Sequence, residues 1–123
     1  MEGKSMPRIT LDVSQEELNK LGGMCHINML NESQIERLAI LSEEMGEAQQ
    51  IIGKILRHGF NSYNPNLLTH TTNRVLLHRE LGHVLYAIDM LTDARDVDRT
   101  AIRAQTAQKA NRIKPYLHYQ ENK

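Results

Sequence analysis

The sequence predicts an all-α helical bundle built on two long antiparallel helices, with a short helix before them and one after. Three observations lead there. In the proline-free stretch Leu38–Gly59, the residues Leu38, Leu41, Met45, Ala48, Ile52 and Ile55 recur at alternating steps of three and four, the signature of one apolar helix face. A second such stripe, Leu77, Leu81, Val84, Ile88 and Leu91, runs through residues Asn73–Asp93. With no tryptophan and one phenylalanine in 123 residues, packing falls to aliphatic side chains and methionine, as helix–helix cores allow.

Taken in order, residues 1–30 read as a polar tail, a short helix and a connector. Ser14 and Glu17 have capping-box spacing ahead of Leu18 and Leu21, and Gly22-Gly23 ends that helix. Residues 31–115 form the helical domain. Asn31 starts the first long helix, with Gln34 as its capping-box partner, and Gly59 stops it after His58. Gly46 and Gly53 lie seven apart on one face, where a neighbouring helix can approach or a bend can form. Residues 60–72, rich in asparagine, serine, proline and threonine, predict a loop long enough for a functional role. After the second long helix, DARDVD marks a turn that puts carboxylates at the next helix N-terminus. A final helix over Ala101–Lys114 ends at Pro115, and residues 116–123 form a tail.

Composition removes several function classes. Lysine plus arginine equals aspartate plus glutamate, 15 each, so no net field draws the chain to a nucleic acid polymer or an anionic membrane. The single cysteine, Cys25, permits neither an intrachain disulfide nor a cysteine-based zinc site. No apolar run approaches the ~18 residues that span a bilayer, so the expected setting is reducing and cytoplasmic. Charge is nonetheless uneven: five glutamates lie between Glu32 and Glu47, and six cationic residues from Arg99 onward face only Glu121.

Chemistry concentrates on the two long helices. Glu43, Glu44 and Glu47 follow an E-E-x-x-E pattern, and Glu44 and Glu47, three apart, project as neighbours. Like charges so placed call for a compensating cation. The second long helix carries Glu80 and His83, also three apart and beside its apolar stripe. Facing helices would thus converge three carboxylates and an imidazole, a metal site in outline. The plain alternative is a set of solvated charges on amphipathic helices.

EEMGE (Glu43–Glu47) followed by ELGHVLYAIDML (Glu80–Leu91) resembles the MazG-like all-α nucleoside triphosphate pyrophosphohydrolases, whose signature is E-E-x-x-E and then E-x-x-D. KILRHG (Lys54–Gly59) and NRVLLHRELG (Asn73–Gly82) are similar to phage-type members, and the likeness covers roughly residues 31–115. It implies a metal-dependent enzyme of the cytoplasm of a bacterium or phage-infected host, cleaving the α–β phosphoanhydride of a nucleoside triphosphate to a monophosphate and pyrophosphate. It implies Glu44, Glu47 and Glu80 as Mg²⁺ ligands, with Glu43 orienting or activating the attacking water. It also implies a homo-dimer or homo-tetramer, consistent with a bundle whose apolar surface needs a partner.

His83 stands where the family carries aspartate. A neutral imidazole still ligates metal but adds no negative charge, which weakens Mg²⁺ and favours Mn²⁺, Fe²⁺ or Zn²⁺. Outcomes open at this point are an altered metal preference, a weakened enzyme, or a nucleotide-binding or oligomerisation module that has lost the reaction. For the substrate phosphates, the expected donors are Lys54, Arg57, His58 and Arg74, with Lys109 and Arg112 from the last helix. Phe60, Tyr63 or Tyr86 could stack on a base. A di-iron carboxylate bundle needs two Glu-x-x-His motifs; this chain has one, at Glu80–His83.

Overall fold

The computed structural model describes residues 27–120. The expected short helix after Ser14, the first three residues of the connector, and residues 121–123 lie outside the described residues. Compactness divides the chain into residues 1–36 and 37–123. Three α-helices make up the described fold: α1 (Glu32–His58), α2 (Asn73–Asp93) and α3 (Arg99–Ile113), followed by a 3₁₀ turn at Lys114–Tyr116. None is long and apolar enough to cross a membrane.

The helix ends follow local chemistry. Asn31 and Gln34 form the expected reciprocal cap: the Asn31 amide donates to Gln34 Oε1 (2.9 Å) and the Gln34 amide to Asn31 Oδ1 (2.8 Å). At the other end Gly59 adopts φ +91°, a left-handed conformation that glycine enters without penalty. Thr72 caps α2 by accepting from the Val75 amide at 3.3 Å. Asp98 caps α3 by accepting from the Ala101 amide at 2.8 Å, so α3 begins at Arg99, two residues ahead of the expected start. Pro115 falls in the 3₁₀ turn that closes it.

The core seam differs from the expected stripes. Among the buried and half-buried positions, Arg37, Leu41, Glu44, Ala48, Ile51 and Ile55 form one regular set on α1, and Asn73, Leu77, Glu80, Val84, Ala87 and Leu91 form another on α2. Both sets step by four and three alternately, the spacing of a helix–helix seam. Leu38, Met45, Ile52 and Leu81, expected in the core, are 42%, 53%, 44% and 45% exposed. Met45, Ile52 and Leu81 border an open apolar groove that also includes Gly46. A Cβ at Gly46 would meet nothing within 4 Å, so among the described residues no neighbouring helix uses the space that glycine leaves. Small residues occupy the seam instead: Ala48 is 6% exposed and Ala87 fully buried.

Contacts along the seam tie residues far apart in sequence. Near its first end, Arg37 holds Asp96 in a two-point ion pair, Nε to Oδ2 at 2.6 Å and a terminal nitrogen to Oδ1 at 3.0 Å. Both side chains are largely shielded, at 17% and 14% exposure. At the other end, Asn73 Nδ2 donates to the Gly59 carbonyl at 3.1 Å. Paired, shielded charges of this geometry are worth more than a surface bridge. Asp96→Asn is therefore expected to lower unfolding stability by about 2 kcal/mol, read from urea denaturation midpoints at constant m-value.

The loop between α1 and α2 is ordered by hydrogen bonds. Tyr63 and Thr72 form an isolated antiparallel bridge. The Asn73 amide donates to the Ser62 carbonyl at 2.8 Å and the Arg74 amide to the Phe60 carbonyl at 2.9 Å. His70, in a left-handed conformation (φ 49°), lays its ring on Tyr63 with centroids 4.6 Å apart.

Candidate metal centre and an adjoining cationic cavity

Glu44 and Glu80 lie on the seam itself, one from each helix, not merely beside it. With Glu47 and His83 they present four ligand atoms that all lie within 4.8 Å of one another. Helical spacing produces this: Glu47 follows Glu44 by three residues and His83 follows Glu80 by three, so each pair shares one face.

The cluster is electrostatically incomplete. Glu44 Oε1 is buried without a hydrogen-bond partner of good geometry. His83 Nδ1 lies 3.2 Å from it, an atom equally close to Glu80 Oε1. Only the Glu80 contact has hydrogen-bond geometry; the one to Glu44 meets the distance alone. His83 is itself 51% exposed. Glu47 is held above the ordinary carboxylate value of 4.5, first by the charge of Glu44, then by partial burial and by Glu80, with Glu43 contributing least. Such an upward push records repulsion that the protein alone does not cancel.

A raised carboxylate pKa makes the metal-free fold lose stability as pH climbs from the ordinary value through the raised one. In EDTA, Glu47→Gln is therefore expected to melt above the unsubstituted chain, by a margin that widens between about pH 5 and pH 8. Thermal denaturation at both pH values checks this; a margin that narrows with rising pH contradicts it.

Of the expected phosphate donors, Lys54, Arg57 and His58 line a cavity of about 490 Å³ between the ends of α1 and α2 and the loop. Arg74 does not line it. Its guanidinium donates to Asn61 Oδ1 at 2.6 Å and lies over the Phe60 ring at 4.8 Å, bracing the loop from outside. Lys109 and Arg112 sit exposed on α3 and belong to neither the cavity lining nor the cluster. Glu43 is exposed and outside the four-ligand set, though close enough to raise Glu47. Tyr86 is 66% exposed; Tyr63 lines the cavity. Asp89 pairs with Arg99 at 3.3 Å, joining the end of α2 to the start of α3.

The residue that sequence reasoning missed is Arg79, which lines the cavity and directly precedes Glu80. A signal for it was present: between Glu47 and Glu80 there is no acidic residue, while Lys54, Arg57, Arg74 and Arg79 all fall there. No family model, curated protein or solved structure matches this chain.

Proposed function

We propose that the chain is a divalent-metal-dependent nucleoside triphosphate pyrophosphohydrolase, with Glu44, Glu47, Glu80 and His83 as the ligand set. The observation that carries this reading is the convergence of three carboxylates and an imidazole within 4.8 Å around a buried, unsatisfied Glu44 oxygen. Replacing these groups' missing partner with a cation answers both the orphaned oxygen and the repulsion on Glu47. The mixed oxygen and nitrogen donor set fits Mn²⁺ better than Mg²⁺. α1 and α2 are read as an antiparallel pair, since Arg37 meets Asp96 while Gly59 meets Asn73. A second copy covering Met45, Ile52 and Leu81 completes a homo-oligomer in this account.

A bound divalent cation supplies charge neutralisation on the phosphates and polarises water. The chain's own residues do the rest. Glu44 and Glu80, fixed on the seam, set where the phosphates lie. Glu43, exposed one residue before Glu44, takes the proton as a water oxygen bonds to the α-phosphorus and the α–β bridging bond breaks. Pyrophosphate leaves with that bond's electron pair. Lys54 and Arg57 meet the phosphate charge from the cavity side.

Calorimetric titration of the metal-stripped protein with MnCl₂ tests the ligand set. Saturable binding that is lost in Glu80→Gln supports it, and affinity unchanged by that substitution removes it.

A further inference from the structure

The cavity beneath the loop has no role in holding metal, and its lining is chemically divided. Lys54, Arg57 and Arg79 stand on its helix side; Tyr63, Asn64 and Leu67 come from the loop. No acidic residue lines it, and no ion pair engages any of the three cations among the described residues. A site that served phosphate alone would need neither the volume of about 490 Å³ nor a loop wall of ring, amide and aliphatic surface. Pockets of this size and mixed lining suit a small organic ligand with a few polar anchors.

Spacing sets the cavity beside the carboxylates. Lys54 follows Glu47 by seven residues, and Leu76, also in the lining, precedes Glu80 by four. At 1.5 Å of rise per residue these are roughly 10 Å and 6 Å along the two helices. A ligand phosphate chain held at the carboxylates would therefore bring its organic end to the cavity mouth.

We propose that this cavity receives the nucleoside of a phosphorylated nucleoside, its ring against Tyr63 and Leu67 and its 5′-phosphate at Lys54, Arg57 and Arg79. The assignment rests on the pyrophosphohydrolase reading for its orientation, because that reading sets the α-phosphate between the cavity's cations and the carboxylates, with the β- and γ-phosphates beyond it toward Glu44 and Glu47. Asn64, in the same lining, offers its amide nitrogen to the ring edge, its Oδ1 accepting from the Asn66 amide at 3.0 Å, and the ordered loop forms a roof in place before the ligand arrives.

Binding of the product form tests this without catalysis or metal. In EDTA, the intact protein is titrated calorimetrically with AMP, GMP, CMP, UMP and dTMP, and with inorganic phosphate. At least one monophosphate is expected to bind about tenfold or more tighter than phosphate, the scale of one added set of polar contacts. Arg79→Gln and Leu67→Ala, both at exposed positions, should each weaken that binding by about tenfold while leaving Mn²⁺ affinity unchanged. Phosphate binding as tightly as every monophosphate, no binding of any monophosphate, or binding indifferent to both variants overturns the proposal. Failure of the metal reading looks different: monophosphates still bind, but Mn²⁺ does not.

Discussion

Glu44→Gln is expected to abolish metal-dependent turnover, lowering kcat by about 10³-fold, the scale seen when one preorganised electrostatic contact is removed from a reacting centre. The same substitution should raise the melting temperature of the metal-free protein. Both effects follow from one placement. Glu44 sits on the α1 seam with a buried oxygen that lacks a proper partner, and its charge is the foremost cause of the upward push on Glu47. Glutamine keeps the shape, removes the charge and relieves the repulsion. Parallel kcat and melting measurements on the purified variant check the pair of outcomes. A residue of purely structural importance would lose stability and activity together.

His83→Asp is expected to raise Mg²⁺-supported hydrolysis by about tenfold or more, the scale of change that adjustments around a metal produce. Its Nδ1 lies 3.2 Å from both Glu44 and Glu80, so an aspartate there would face the same centre with an oxygen and a full negative charge. Hard oxygen ligands favour Mg²⁺. In the metal-free state the variant should melt lower, since a fourth carboxylate joins three already in conflict. The rate ratio between Mg²⁺ and Mn²⁺ reads the change in preference; Mg²⁺ activity that is unchanged or lower contradicts the role given to His83.

Much of the architecture was legible because it is locally encoded. Asn31 with Gln34 and Gly59 announce the ends of α1 in single residues, and those ends stand where the sequence put them. The seam was harder. Met45 and Ile52 outweigh Ala48 in any hydrophobic count, yet Ala48 and Ile51 are buried while Met45 and Ile52 are exposed. Broad apolar helices carry more than one stripe, and the sequence alone does not say which one meets the neighbouring helix. Charge at a seam position runs against burial, so the sequence pattern suggests a place for Glu80 beside the stripe; Glu80 and Glu44 both occupy the seam. Arg37 and Asp96 are 59 residues apart, beyond any local pattern. Arg74 shows the remaining limit: its charge suggested phosphate, and the fold spends it on Asn61 and Phe60.

The nature of the released product tests the central claim most directly. The metal-stripped protein, resupplied with Mn²⁺ and given each common ribo- and deoxynucleoside triphosphate, should release pyrophosphate and a monophosphate in equal amounts from at least one of them, and Glu44→Gln should release neither. Orthophosphate as the product would contradict α–β cleavage, and no release from any substrate while nucleotide still binds would make the chain a binding module.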